Sequence, residues 1–176
     1  MMTGLQFRRA TEQDARLLAE LAEQTFRDTY TRFNTPENMD AHCAKSFGED
    51  IQRAEIKDAR RESWLGEIDG KLVAFAQLIV DKPCPPVPGK RGVEILRFYV
   101  DSSQHGKGVA YHLMDELAAR SIELGAEALW LCVWDQNAHA TRFYRKCQFE
   151  NVGTTSFTLG TEVQQDWVMC RDLRRA

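Results

Sequence analysis

A strand, a glycine-bearing turn and a helix follow one another without a break from Val93 to Leu117, and that succession limits the folds open to the chain. Val93-Glu94-Ile95-Leu96-Arg97-Phe98-Tyr99-Val100 is rich in β-branched and aromatic residues and reads as a buried strand. Asp101, Ser102 and Ser103 break it. Gln104-His105-Gly106-Lys107-Gly108-Val109-Ala110 comes next, after which Val109, Leu113 and Leu117 recur at helical spacing. Glycines at 106 and 108 let the backbone turn sharply and approach a ligand, so successive N–H groups and the helix N-terminus can converge on an anion. A phosphate-bearing ligand is implied. Tyr111 stands where a dinucleotide-binding loop needs a small residue, and Lys107 has neither the spacing nor the following Ser/Thr of an ATPase loop. Taken alone, G-x-G before a helix is equally compatible with a plain loop turn.

A second stretch decides between these. Trp134-Asp135-Gln136-Asn137-Ala138-His139-Ala140-Thr141-Arg142-Phe143-Tyr144-Arg145-Lys146-Cys147-Gln148-Phe149 resembles the second signature of the GCN5-related N-acetyltransferases (GNAT), N-x-x-A-x-x-F-Y-x-x-x-G-F. The glycine loop resembles the first signature of that superfamily, Q/R-x-x-G-x-G/A. The two occur in the family's order, with a strand-like run from Leu129 to Val133 between them. His105 departs from the usual Gln or Arg, and Gln148 replaces a glycine at a helix end where positive φ is favoured.

The resemblance implies an α/β (α+β) fold: a mixed, mostly antiparallel sheet of six to seven strands flanked by helices, with one splayed parallel pair. It implies acetyl-CoA as co-substrate, its pantetheine arm lying in the splay against the backbone of Phe98 and Val100. The amides of His105, Gly106, Lys107, Gly108, Val109 and Ala110 would take the pyrophosphate, and Asn137 would contact the arm.

Acetyl transfer needs a neutral amine at the moment of attack, whereas an alkyl ammonium has a pKa near 10. Something must accept a proton. Glu94 matches the position where many family members carry a carboxylate base, and regular alternation puts it on the strand face of Leu96, Phe98 and Val100. The leaving thiolate needs a proton in return, and Tyr144 matches the family's acid. The N–H of Phe98 is expected to steady the oxyanion. Cys147 lies near Tyr144, but no base is placed for a covalent acetyl-cysteine, and direct transfer needs none.

The remaining chain reads in order. Leu5 to Ala10 is a first strand, and Thr11 opens a helix to about Arg27 whose stripe of Leu18, Leu21, Ala22, Thr25 and Phe26 faces a core. Thr35-Pro36 caps another, with Met39, Cys43 and Phe47 inward. Tyr30, Phe33, Asn34 and Glu37 lie between them, where the family shapes its acceptor pocket. Residues 49–62 read as a solvated helix face. Asp69-Gly70 joins Ser63–Ile68 to Leu72–Val80 as a hairpin. Asp81 to Gly92 holds four of the five prolines, hence a stiff loop. Leu129 to Trp134 reads as a strand buried on both faces, parallel to the central one. Asn151–Leu159 and Val163–Arg171 form a closing hairpin around Gly160.

A single domain over residues 1–176 accounts for all of this. Net charge is 23 minus 26, or −3, which argues against a nucleic-acid platform. Five scattered cysteines suit reduced thiols, and the four histidines make no metal-ligand spacing, so no metal is implied. No signal-type or membrane-length segment is evident, and a cytoplasmic location is expected. The expected activity is transfer of acetyl from acetyl-CoA to a small primary amine, by direct attack in a ternary complex. Phe157–Gly160, Gln165–Met169 and the Phe26–Phe47 segment are similar to the bacterial polyamine (spermidine/spermine) subgroup, which also implies a homodimer. The alternatives are a protein or peptide N-terminal acetyltransferase and a non-catalytic acyl-CoA sensor.

Overall fold

The computed structural model describes residues 4–175. Seven strands form one sheet: β1 (Leu5–Arg9), β2 (Arg61–Ile68), β3 (Lys71–Ile79), β4 (Gly92–Val100), β5 (Ala128–Trp134), β6 (Glu150–Leu159) and β7 (Glu162–Asp172). Their spatial order is β1-β2-β3-β4-β5-β7-β6. Every neighbouring pair is antiparallel except β4–β5, which is parallel. Helices α1 (Ala15–Tyr30), α2 (Pro36–Ser46) and α3 (Glu49–Lys57) precede β2; α4 (Val109–Glu123) joins the parallel pair and α5 (Ala138–Lys146) follows it.

The two faces of the sheet carry separate cores. Leu18, Leu21, Ala22 and Phe26 of α1 pack with Met39 and Cys43 of α2 and with Leu65 and Phe75 of the sheet. Val109, Leu113, Met114 and Leu117 of α4 pack with Tyr144 of α5 and with Val93, Ile95, Leu129 and Leu131 on the other face. Hairpin β2–β3 turns at Asp69 and Gly70, both at positive φ (50° and 78°), the geometry the Asp-Gly pair favours.

The solvated helix expected over residues 49–62 is corrected. Gln52 is buried, and Glu55 forms a largely buried ion pair with Arg97 of β4 at 2.5 Å. One turn of α3 therefore locks onto the sheet floor.

Two irregularities shape the site. First, β4 pairs with β5 only from Gly92↔Ala128 to Ile95↔Leu131; beyond that β4 continues against β3 alone and β5 against β7 alone. The parallel pair thus opens as a splay. Second, Leu78 pairs with Ile95 but Gln77 with Arg97, so Leu96 is an unpaired bulge. A bulge reverses the alternation beyond it. Ile95 and Phe98 both face the α4 side, while Tyr99 packs with the α1 cluster. Glu94 therefore shares the face of Tyr99, not that of Phe98 as regular alternation predicts.

Helix α5 closes with two bonds, Gln148 N–H to Arg145 O and Phe149 N–H to Tyr144 O, the Schellman pattern. Gln148 sits at φ 69°, so the sequence keeps the left-handed turn without the glycine. A non-glycine residue there costs roughly 1–2 kcal/mol of backbone strain, partly offset by glycine's greater unfolded-state entropy. Gln148→Gly should therefore stabilise the protein by about 0.5–1 kcal/mol, read as a higher urea midpoint at unchanged slope; a lower midpoint would contradict this.

Candidate active site

The splay opens into a cavity of about 1150 Å³. Its walls come from the diverging halves of β4 and β5, the glycine loop, the start of α5, the C-terminal turns of α1, and β6–β7. Because these strands diverge, Cys132 is exposed and Trp134 half-buried, which corrects the expectation that β5 is covered on both faces.

The α4–α5 side holds most of the residues expected at the cofactor. Phe98, Val100, His105, Gly106, Gly108, Ala110 and Asn137 all line it. Gly106 and Gly108 adopt φ 76° and 87°, with no atom closer than 4.0 Å to where a Cβ would stand. The amides of His105 and Lys107 are consumed inside the loop, by Ser102 O at 3.1 Å and Gln104 O at 3.3 Å. Those of Gly106, Gly108, Val109 and Ala110 find no acceptor among the described residues, as first-turn helix donors must unless a ligand or water supplies one. Neither Lys107 nor Val109 has its side chain in the cavity wall; Val109 is fully buried in the core. His105 Nε2 lies 3.0 Å from Val100 O and donates to it, tying the loop to the end of β4. Asn137 caps α5, its Oδ1 accepting from Ala140 N–H at 3.1 Å.

Tyr144 stands behind this wall, 8% exposed, its ring 6.2 Å from that of Phe98. Burial, followed by the neighbouring Tyr30 and Cys147, pushes its phenol well above the usual tyrosine range. It makes no hydrogen bond to another described residue, and it holds its proton throughout the neutral range. The nearby Cys147 thiol is pushed up to about 11 by burial, so it is not a thiolate nucleophile at neutral pH.

The opposite side is aromatic and carries carboxylates. Tyr30 packs on Phe26 at 4.7 Å and faces Trp134 at 6.2 Å. Its hydroxyl lies within reach of Asn137 and Tyr99, and burial raises its pKa. His42 stacks on Phe26 at 4.4 Å, and burial followed by Arg97 and Lys45 lowers its pKa, so the ring is neutral at pH 7. Glu94 is buried beneath the splay and paired with Lys82 Nζ at 2.5 Å. That ammonium also lies 5.4 Å from the Trp130 ring centre.

Of the four residues expected at the acceptor pocket, Tyr30 lines the main cavity and Phe33 a smaller one of about 160 Å³ beside it. Asn34 and Glu37 line neither. The Asn34 side chain donates to Tyr30 O and accepts from Gln164, joining α1 to β7; Glu37 is exposed in the first turn of α2. Residues not singled out in the sequence also shape the site: Tyr99, Trp134 and Asp166 line it, and Lys82 reaches it only through its ion pair with Glu94. Lys82 arrives through the proline loop, pinned where Trp130 Nε1 donates to its carbonyl at 2.8 Å. Nothing in its local sequence announces that. Asp166 carried a signal, an acidic residue on the same β7 face as Val168 and Cys170.

The geometry agrees with what comparison finds. A sequence profile of the Acetyltransferase (GNAT) family matches residues 16–149. An uncharacterized N-acetyltransferase of Mycobacterium tuberculosis is 32% identical over 91% of this chain and 98% of its own. Another, from the pepI 3′ region of Lactobacillus delbrueckii subsp. lactis, is 27% identical over 98% of this chain and 99% of its own. Among solved structures, the PaiA N-acetyltransferase of Thermoplasma acidophilum in complex with coenzyme A superposes with a TM-score of 0.78 at 19% identity, covering 96% of this chain and 98% of that one. Mutant forms of a spermidine/spermine N-acetyltransferase of Vibrio cholerae superpose at 0.70 and 20% identity, covering 98% and 96%.

Proposed function

The chain belongs to the acetyltransferase (GNAT) family and is an acetyl-CoA-dependent N-acetyltransferase, and we propose that its acceptor is a small cationic amine, a polyamine first among them, acetylated by direct attack in a ternary complex. The observation that carries this reading is the splay: one cavity with unbonded loop amides on one side and aromatic rings and carboxylates on the other. Acetyl-CoA, when bound, supplies the acetyl group as an activated thioester.

The chain's own residues divide the remaining work. The amides of Gly106, Gly108, Val109 and Ala110 hold the pyrophosphate at the positive end of α4. The edge of β4 that leaves β5, from Phe98 onward, offers backbone groups to an extended arm. Glu94, on the acceptor face and oriented by Lys82, receives the amine's proton directly or through water. Tyr144, holding its proton firmly, gives it to the departing thiolate. Tyr30 and Phe33 supply the aromatic side of the acceptor pocket. Five free thiols suit a reducing, cytoplasmic setting.

The test is acetyl-CoA-dependent release of free thiol across spermidine, spermine, simple diamines, amino acids, aminoglycosides and short peptides. Saturable release with the polyamines and diamines is expected. Release confined to peptides would overturn the acceptor, and none with any amine, coenzyme A binding being verified in the same samples, would overturn small-amine transfer altogether.

A further inference from the structure

One carboxylate in the cavity wall is buried with an oxygen left unbonded among the described residues. Asp166 of β7 is 8% exposed and lines the cavity, yet its Oδ1 is buried without a hydrogen-bond partner among the described residues. Its surroundings disfavour a bare anion: desolvation, then the neighbouring Asp135, push its carboxyl up to about 6. A buried carboxylate without hydrogen bonds or a counter-charge is costly to a fold, so a ligand that supplies both binds there with advantage.

Register fixes its relation to Glu94. Asp166 pairs with Trp134 and Glu94 with Trp130, so both carboxylates lie on the acceptor face of β5, four residues apart along it and on opposite sides. That separation is roughly 13 Å along the strand and about 10 Å across it between backbones. The two are too far apart to hold one nitrogen. Around Asp166 the walls are aromatic, with Tyr30 and Trp134 at 6.2 Å from one another, and its charge is felt at Tyr30 and Cys132. Rings and a carboxylate together make a cation site.

We propose that Asp166 binds a second cationic group of the acceptor, remote from the nitrogen that is acetylated. This rests on the small-amine reading, with Glu94 at the reacting end. The acceptor is then a diamine or longer polyamine spanning the cavity, and a monoamine of equal length lacks the anchoring charge.

The experiment measures KM and kcat at saturating acetyl-CoA for an eight-carbon α,ω-diamine and for the monoamine of the same length, in wild type and in Asp166→Asn. Wild type should favour the diamine in KM by about 10- to 100-fold, the usual size of a charge-assisted hydrogen bond. Asp166→Asn should raise the diamine's KM to that of the monoamine, the loss falling on KM and not on kcat, with coenzyme A affinity and melting temperature held or improved. A diamine preference retained in Asp166→Asn would overturn the proposal. So would a lowered melting temperature accompanied by weaker coenzyme A binding, the mark of a structural role. Turnover of both amines without preference in wild type would overturn the proposal alone; no turnover of either, nor of any other small amine, would overturn the small-amine reading with it.

Discussion

Tyr144→Phe should lower kcat by about 10²- to 10⁴-fold, the range typical of removing a positioned general acid, while coenzyme A affinity stays near wild type. The phenol is buried at the splay and makes no hydrogen bond within the described fold, so its loss leaves no partner unsatisfied and should shift the melting temperature little. A tyrosine held well above its ordinary pKa would be a poor acid toward a thiolate in water, whose conjugate acid is near 8.5. The cavity changes that comparison. The burial that raises the phenol acts on a thiolate formed in the same cavity too, so both acids shift in the same direction. Since Tyr144 stays protonated as pH rises through the neutral range, the ratio of wild-type to variant rate should be constant from pH 6 to 9. A ratio that collapses within that window, or a variant with full turnover, would contradict the acid role.

Glu94→Gln should reduce kcat/KM for the amine by roughly 10²- to 10³-fold at pH 7.5. The residue is buried against Lys82, and removing one member of a buried pair is costly when it strands a charge. Here the stranded charge is Lys82, whose side chain is 40% exposed and can hydrate, so the stability cost should be nearer that of a surface pair, about 1 kcal/mol or less. The pH dependence has a definite sign. The base matters because most amine arrives protonated at pH 7.5; as pH approaches the amine's own pKa, about 10, neutral amine becomes abundant and the deficit should shrink. Equal rates for variant and wild type at pH 7.5 would place the proton acceptor elsewhere.

The parts of this molecule that were legible in its sequence are those fixed by local chemistry. The glycines at 106 and 108 take the positive φ their loop demands, and Asp69-Gly70 turns its hairpin. Thr35 caps α2 through Asn38 N–H, as the Thr-Pro pair announces. The parallel crossover followed from strand, helix and strand in succession. What escaped was set by partners distant in the chain. The bulge at Leu96 exists only in the pairing of β4 with β3, and it moved Glu94 to the opposite face. Glu55 looked like one charge among many on α3 until Arg97, 42 residues later, met it in the floor of the sheet. Asn34 resembled a pocket residue by position, but its amide is committed to Tyr30 and Gln164. Asp166 was visible as an acidic residue just ahead of the apolar end of β7, and only the tertiary fold reveals that its Oδ1 is buried with no hydrogen-bond partner among the described residues.

The central claim, direct transfer between two ligands held together in the splay, is tested most directly by initial-velocity kinetics with acetyl-CoA and the best amine varied against each other. Intersecting double-reciprocal lines, with no acetylated protein detectable by mass spectrometry after incubation with acetyl-CoA alone, are predicted. Parallel lines together with a stably acetylated cysteine would contradict it and make the chain a carrier of the acetyl group between two separate steps.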